Sequence, residues 1–228
     1  MNQNCTVCGG TEFRNDKVLW SKLSQEWELN EHEIDYIDRQ QGRCCTGCGS
    51  NLRSQVLALA IMKSVGYLGV FEEFVSSPAA GGLSVFEINE AGSLHPFLNR
   101  MPGHHFGSYP WYDMMRLDFP PCHFDLVIHS DTLEHVDDPL RGLEECCRVL
   151  KHGGLCTYTV PVIVGRMTRG RDRLAPSYHG TPDGVKKDYL VHTEFGSDAW
   201  TLPIRAGFKS VAIHVLDYPS GIAFAALK

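Results

Sequence analysis

The distribution of apolar residues divides the chain into a polar first part and a second part of alternating strand and helix patterns. Within the polar first 50 residues, residues 26–39 show the spacing of a short amphipathic helix. Residues 52–75 carry apolar side chains at helical spacing, which predicts one long helix, or two in tandem interrupted near Gly66 or Gly69. These patterns predict helical segments in the first part of the chain.

After a loop expected over residues 76–82, short apolar runs alternate with helical patterns. The predicted strands cover residues 83–88, 104–109, 124–129, 155–160, 209–216 and 222–227, and the predicted helices cover residues 93–100, 138–150 and 195–206. Residues 165–192 are rich in Gly, Pro and charge and are expected to form a long loop. Strands separated by helices imply a mostly parallel sheet with helices on both faces, and the closing hairpin implies one antiparallel strand at its edge.

Composition and charge exclude several classes of protein. The chain has 228 residues, with 21 Lys and Arg against 27 Asp and Glu, which gives a formal net charge of −6. This balance argues against a nucleic-acid-binding protein, which would usually be basic. The sequence contains no apolar run long enough to span a membrane, and its first residues do not resemble a secretory signal. We therefore expect a cytoplasmic protein without a membrane segment.

Nine cysteines are an odd number for a disulfide framework, and four of them form two Cys-X-X-Cys pairs. The pairs are Cys5 with Cys8 and Cys45 with Cys48, and each is followed by glycine. Four thiolates satisfy tetrahedral zinc and leave no position open for water, which predicts a structural Zn²⁺ site. The separation between the pairs is longer than the ~15–20 residues of a compact zinc ribbon. A redox pair or four incidental cysteines remain the alternatives.

A specific combination of short motifs covers residues 124–154. A strand begins with Phe-Asp and is followed by Leu-Glu-His-Val, a helix ending in Arg-Val-Leu-Lys and a Gly-Gly turn into the next strand. This stretch, extended through Pro161, resembles class I S-adenosylmethionine-dependent methyltransferases of the type 11 kind. The most similar branch of that family carries a cysteine-rich zinc head and continues with Cys-Gly-Ser and an arginine, as Cys48 to Arg53 do here. Residues 192–196 also fit the C-terminal pattern of that branch.

The resemblance implies a fold and a division into domains. It implies an α/β protein with a Rossmann-like, seven-stranded, mostly parallel sheet, helices on both faces and an antiparallel C-terminal strand. A small zinc-binding head over residues 1–52 and a linking helix over residues 53–80 would precede a methyltransferase domain over residues 81–228. Such a protein would be a transferase that uses S-adenosylmethionine as its methyl donor.

The resemblance also implies where the cofactor would bind. The glycine-rich turn of the family falls on residues 87–93, where Asn89 and Ala91 stand in place of glycines. Asp118 and Phe119 occupy the place where the family holds the adenine amino group and ring. The implied cofactor residues are Glu87, Asn89, Ala91, Gly92, Ser108, Tyr109, Asp118, Phe119, His129 and Ser130.

Methyl transfer needs a general base only if the acceptor arrives protonated. The candidate bases are His135, His179 and His192. His135 belongs to the Leu-Glu-His-Val turn, which is largely structural in the family, so His192 is the catalytic candidate, unless it only forms hydrogen bonds. We expect a small-molecule methyl acceptor. The alternatives are a catalytically inactive descendant that serves as a binding or assembly partner, and a zinc-anchored module that acts on nucleic acid or protein.

Overall fold

The computed structural model describes residues 4–178 and 187–228. The helices are α1 (Ser21–Glu26), α2 (Glu31–Gly42), α3 (Leu52–Ser64), α4 (Phe71–Phe74), α5 (Pro78–Gly81), α6 (His95–Leu98), α7 (Pro139–Val149) and α8 (Thr201–Arg205). The strands are β1 (Phe13–Asn15), β2 (Arg43–Cys45), β3 (Val85–Ile88), β4 (His104–Gly107), β5 (Phe124–Ser130), β6 (Leu150–Thr159), β7 (Val162–Ile163), β8 (Arg169–Gly170), β9 (Thr193–Gly196), β10 (Ser210–Leu216) and β11 (Gly221–Leu227). Short 3₁₀ helices lie at Gly92–Leu94, Leu133–His135 and Lys187–Tyr189.

The central sheet of the described residues has six strands in the order β4-β3-β5-β6-β11-β10. Strands β4, β3, β5 and β6 are mutually parallel, so the predicted mostly parallel α/β sheet is confirmed. The predicted count of seven strands is wrong. Residues 108–123 join β4 directly to β5, and this segment is too short and too rich in proline for a further strand and its helix. Strands β4 and β5 lie on opposite sides of β3, so the order in which the chain adds strands to the sheet reverses between β3 and β5.

The predicted antiparallel C-terminal strand is confirmed as β11, but the prediction that it lies at the edge of the sheet is wrong. Strand β11 pairs with β6 on one side and with β10 on the other, antiparallel to both. The tight turn after Leu216 brings β11 back beside β10, and β11 is buried along nearly its whole length. Strand β10, whose residues are mostly exposed, therefore forms the edge.

The two faces of the sheet are covered by different parts of the chain. Side chains alternate along β5, so Val127 packs into one apolar cluster while Leu126 and Ile128 pack into another. Helices α7 and α8 cover the first face, and α3 covers the second. Of the two alternatives for residues 52–75, the interrupted helix is correct and the single long helix is wrong. Helix α3 ends before Gly66, which has a φ of 72°, and α4 follows.

The segment between the two cysteine pairs packs against the loops that follow β6. Leu23 and Trp27 form an apolar cluster with Ile163 and Val191. The Arg166 guanidinium also lies 2.8 Å from a Glu33 carboxylate oxygen. Helix α2 begins later than the sequence predicts, because Asn30 and Glu33 form a capping box that starts the helix at Glu31.

The predicted helix over residues 195–206 is wrong in its first half. Residues Thr193–Gly196 form β9, which pairs with β7 and β8, and only Thr201–Arg205 is helical. Pairing with distant strands overrides the local helical pattern here. Residues 76–82, expected to be a loop, contain the short helix α5. None of the helices in the described part of the chain has the length and apolarity that crossing a membrane requires.

Candidate active site and metal centre

A cleft of about 890 Å³ lies at the carboxyl ends of β3 and β5. Because the strand order reverses between these two strands, this is the place where open parallel sheets bind their ligands. The volume is in the range of small-molecule and cofactor pockets. The lining residues used below are Arg53, Asn89, Glu90, Gly92, Tyr109, Tyr112, Asp113, Met114, Ser130, Asp131, His135, Asp137, Asp188, Tyr189 and His192.

Asn89 replaces a glycine of the expected motif and adopts the conformation that favours glycine. Its φ is 56°, in the left-handed region that asparagine tolerates better than most residues. The Tyr109 N–H donates a 3.0 Å hydrogen bond to Asn89 Oδ1, and Asn89 Nδ2 donates a 3.3 Å bond to Thr132 Oγ1. One side chain thus ties together the loops that follow β3, β4 and β5.

Glu87 supports this loop from beneath and does not line the cleft. The Ala91 N–H donates a 2.7 Å hydrogen bond to Glu87 Oε1. His95 Nδ1 and His104 Nε2 lie 2.8 Å and 2.7 Å from Glu87 Oε2. The carboxylate is fully buried, and these three contacts occupy both of its oxygens. The Glu87 side chain therefore holds the loop after β3 in place by accepting a hydrogen bond from its backbone.

The structure places the predicted site residues in two groups. Those that line the cleft are Asn89, Gly92, Tyr109, Ser130 and His192. Those outside the lining are Glu87, Ala91, Ser108, Asp118, Phe119 and His129. His179, the third candidate base, lies outside the described residues. The predicted set thus combines groups at the cleft with groups that only surround it.

Burial and packing explain why several predicted residues do not reach the cleft. Ala91 and His129 are fully buried. The His129 ring stacks on Tyr158 at 4.7 Å, and burial lowers the pKa of His129 to about 3. Phe119 packs its ring against those of Phe86 and Phe124, each at 4.9 Å between centroids.

Asp113, which the sequence argument overlooked, lines the cleft, whereas Asp118 does not. Asp113 Oδ1 accepts a 2.8 Å hydrogen bond from the Met115 N–H. The segment over residues 108–123 starts at the carboxyl end of β4 and returns to the amino end of β5. Its early residues therefore pass the cleft, whereas Asp118 lies exposed on the way back. Proximity to the end of β4 is the signal that would have found Asp113.

Arg53 brings a positive charge from the first turn of α3 into the cleft. Its guanidinium contacts the Asp131 carboxylate, which follows β5 directly. Burial lowers the pKa of Arg53 to about 10, although the Glu134 carboxylate opposes this shift. Arg53 therefore stays charged at neutral pH, and the ion pair joins α3 to the end of β5.

His192 has a carboxylate partner. Its Nε2 lies 3.1 Å from Asp137 Oδ1, close enough for the carboxylate to stabilise a proton on the imidazole. The His192 backbone N–H donates a 2.8 Å bond to the Glu134 carbonyl, and His135 Nδ1 donates a 2.9 Å bond to the Leu190 carbonyl. These bonds join residues 134–137 to residues 190–192 as one wall of the cleft.

The four predicted metal ligands converge on one point. Their sulfur atoms all lie within 4.8 Å of one another, with Cys5 and Cys48 at 3.7 Å and Cys8 and Cys45 at 3.6 Å. Tetrahedral zinc with bonds of ~2.3 Å separates its sulfur ligands by ~3.8 Å, so this arrangement fits the ion. We call these four residues the cysteine cluster.

Both turns of the cysteine cluster have the same geometry. The Gly9 N–H donates to the Cys5 carbonyl at 2.8 Å, and the Gly49 N–H donates to the Cys45 carbonyl at 2.9 Å. Gly9 and Gly49 have φ values of 78° and 74°, which explains the glycine after each pair. The antiparallel pairing of β1 with β2 places the two turns side by side.

Without an ion, the thiols of the cysteine cluster differ in acidity. Burial raises the pKa of Cys8 to about 11 and raises that of Cys5 further. Burial also opposes ionisation of Cys45, but the Cys48 and Gly47 backbone N–H groups and the Cys8 and Cys5 thiols bring its pKa below the ordinary value. A bound cation would supply the charge that the buried thiolates need.

Glu87, His95 and His104 form a second group of metal-ligand side chains, which we call the Glu87 cluster. Both histidine nitrogens lie at hydrogen-bond distance from the same oxygen, 2.8 Å and 2.7 Å. Ligands of one tetrahedral zinc ion, bound at ~2.05 Å, would be ~3.4 Å apart. The distances therefore favour a hydrogen-bonded group and not a metal site.

A family model described as a methyltransferase domain matches residues 106–158. The matched stretch contains Tyr109, Asp113, Ser130, His135 and Asp137 of the cleft. The match runs from the end of β4 into β6. No curated protein sequence matches the chain.

Several solved structures are similar to the chain. An S-adenosylmethionine-dependent methyltransferase from Thermotoga maritima is 16% identical, covering 76% of this chain and 92% of that one, with a TM-score of 0.41. One from Mesorhizobium loti is 13% identical, covering 66% and 92%, with a TM-score of 0.39. One from Methanosarcina mazei is 16% identical, covering 64% and 91%, with a TM-score of 0.39. At these values the likeness says nothing about the acceptor of this chain.

Proposed function

We propose that the protein is an S-adenosylmethionine-dependent methyltransferase that acts on a small-molecule acceptor and carries a structural Zn²⁺. The observation that carries this proposal is the cleft at the reversal of strand order between β3 and β5, walled largely by the stretch that matches the methyltransferase domain. The cleft is lined by both polar and aromatic side chains, as small-molecule sites are.

The residues present in the cleft fit S-adenosylmethionine. Asp113 would accept hydrogen bonds from the adenine amino group, with Met114 and Tyr112 beside it as apolar surface for the ring. Asn89 and Gly92 would approach the ribose and methionine part with their backbone. Glu87 and Ala91 would shape this loop, because they are buried below it.

The contribution of the chain to the reaction would be alignment. When bound, S-adenosylmethionine supplies a methyl group already activated by a sulfonium. The protein has to hold the acceptor atom in line with that carbon and exclude water. Ser130, at the end of β5, would lie beside the reacting centre, and His192 would accept a proton from the acceptor.

The zinc ion would have no part in the chemistry, because four thiolates complete its coordination. It would join the paired strands β1 and β2 to the start of α3. Helix α3 carries Arg53, so the ion would support the cleft from a distance. Zinc-binding thiolates also suit a reducing compartment, which is consistent with the cytoplasm.

Calorimetric titration with S-adenosylmethionine and with its demethylated product tests the proposal. We expect both to bind at one site per chain. Asp113→Ala should weaken binding about tenfold, since it removes a hydrogen bond to an amino group in a desolvated site. Asp118→Ala is the matched control and should bind like the wild type.

Two outcomes would count against parts of this proposal. No heat at millimolar ligand would reject the methyltransferase function altogether. If Asp118→Ala weakened binding more than Asp113→Ala, the assignment of the adenine site to Asp113 would be rejected. S-adenosylmethionine would remain the proposed cofactor.

A further inference from the structure

The walls of the cleft carry an excess of negative charge. Five carboxylates line it, namely Glu90, Asp113, Asp131, Asp137 and Asp188. Among the described residues, Arg53 is the one Lys or Arg in the lining, and its charge is already paired with Asp131. An acceptor that carries phosphate or carboxylate would therefore meet several like charges and no unpaired lysine or arginine among the described lining residues.

The acidic groups are not spread evenly. Asp113 and Asp131 have the adenine amino group and Arg53 as partners, as argued above. Asp137 and Asp188 belong to the wall that carries His192, on the side where the acceptor would enter. Asp137 already lies 3.1 Å from His192 Nε2, whereas Asp188 has no ion-pair partner among the described residues, so the Asp188 charge is available to attract a ligand.

Aromatic side chains face the same space. Tyr109 is 55% exposed and Tyr189 is 37% exposed, and both line the cleft together with Tyr112. Aromatic faces attract cations through their quadrupole, and the attraction adds to that of nearby carboxylates. The carboxylates and the aromatic rings of the cleft thus both favour a cationic ligand.

We infer that the methyl acceptor is an amine that enters the cleft as an ammonium ion. The inference rests on the proposed function, since it names the acceptor of that same site. Asp137 and Asp188 attract the ammonium, and the tyrosines flank its carbon skeleton.

His192 makes the amine reactive. An ammonium has no lone pair, so one N–H bond must break before methylation, and the proton passes to the His192 imidazole, whose Nε2 lies 3.1 Å from Asp137 Oδ1. The freed lone pair of the nitrogen then forms the new N–C bond while the C–S bond breaks, and its electron pair stays on sulfur. His192 is partly exposed, which lets the proton leave to solvent.

Three probes of similar size separate charge from shape. They are 2-phenylethylamine, 2-phenylethanol and phenylacetate, which are cationic, neutral and anionic at neutral pH. Their binding is measured by calorimetry on the full zinc-containing chain saturated with the demethylated cofactor product. We expect the amine to bind at least about tenfold more tightly than phenylacetate, with the alcohol between them.

A pair of charge-neutralising variants locates the effect. Asp188→Asn should lower the preference for the amine over phenylacetate several-fold. Asp35→Asn removes the same charge from α2, away from the cleft, and should leave the preference unchanged.

The outcomes distinguish the two proposals. Tight binding of the demethylated product together with equal or tighter binding of phenylacetate, or with no binding of the amine, overturns the amine acceptor only. Absence of binding by the demethylated product and by S-adenosylmethionine overturns the methyltransferase function, and the amine acceptor with it.

Discussion

The cysteine cluster and the Glu87 cluster are built from the same kinds of metal-binding side chains, yet their geometries differ. In the cysteine cluster the closest sulfur atoms are 3.6 Å and 3.7 Å apart, which leaves room for an ion at their centre. In the Glu87 cluster the two histidine nitrogens approach one carboxylate oxygen to 2.8 Å and 2.7 Å. Ligands around a metal are held apart by it, whereas donors and acceptors approach each other directly.

The difference also concerns what each cluster supports. The cysteine cluster joins segments at the start of the chain and the beginning of α3. The Glu87 cluster joins β3, α6 and β4 beneath the loop that borders the cleft. One cluster would need an ion to be stable, and the other satisfies its charge and its hydrogen bonds internally.

The largest expected effect follows from removing one cysteine ligand. Cys45→Ser should lower the zinc content from about one per chain to near zero and destabilise the fold by more than about 4 kcal/mol, because bound metal contributes to folding. Metal analysis and urea unfolding measure both. The neighbouring Cys44 thiol donates a 3.4 Å hydrogen bond to the Gln41 carbonyl and is not part of the cysteine cluster. Cys44→Ser should therefore retain the zinc. Full zinc content in Cys45→Ser would contradict the site.

The next effect concerns the Glu87 cluster. Glu87→Gln places an amide N–H₂ against two histidine nitrogens and should cost about 2 kcal/mol, because a buried polar atom loses its partner. The zinc content should not change. Glu90→Gln, the exposed neighbour in the loop, should alter stability by less than about 0.5 kcal/mol. A wild type that binds two zinc ions, and a Glu87→Gln variant that binds one, would show that both clusters bind metal.

His129 contrasts with the histidines of the Glu87 cluster, since neither of its ring nitrogens has a hydrogen-bond partner among the described residues. Burial lowers its pKa in the folded chain to about 3. Below the ordinary histidine pKa of about 6.5, the unfolded chain binds a proton that the folded chain does not. Stability should therefore fall as the pH drops through this range, until the pH nears the folded-state pKa.

His129→Phe keeps the stacking on Tyr158 and removes this proton linkage. Relative to the wild type, the variant should gain about 2 kcal/mol of stability between pH 7 and pH 5. Urea unfolding at both pH values measures the difference. The exposed His152, replaced by Gln, serves as the control and should show almost no change. If the free energies of unfolding of wild type and His129→Phe differed by the same amount at both pH values, the proton linkage would be refuted.

The smallest effect is expected at Asn89, which borders the cleft. Asn89→Ala forces a side chain that disfavours positive φ into the left-handed region and removes two hydrogen bonds, at a cost of about 1–2 kcal/mol. Asn89→Gly relieves the backbone and loses only the hydrogen bonds. Affinity for S-adenosylmethionine should fall in both, and further in the alanine variant. If Asn89→Gly instead bound S-adenosylmethionine more weakly than Asn89→Ala, the positive φ of residue 89 would not be the property that binding requires.

Local patterns sufficed to predict much of the fold. A short apolar run predicts β5, and the helix predicted from residue 138 is α7, which Asp138 caps. The repeated Cys-X-X-Cys-Gly spacing predicts the cysteine cluster, because each pair with its glycine forms its turn from neighbouring residues alone. The count of strands and the helix expected over residues 195–206 failed, because strand pairing depends on distant partners.

The sequence alone was enough to specify the main strands and helices of the central sheet, their order and the two turns that present the thiols, since each follows from interactions within a few residues. The tertiary structure alone decides which side chains share the cleft. Arg53, Asp113 and Asp131 come from different elements, and Asp118 is excluded although it is near Asp113 in the chain. Parallel strands gather residues that follow their carboxyl ends, so membership of the site depends on where a strand ends in space and not on distance along the chain.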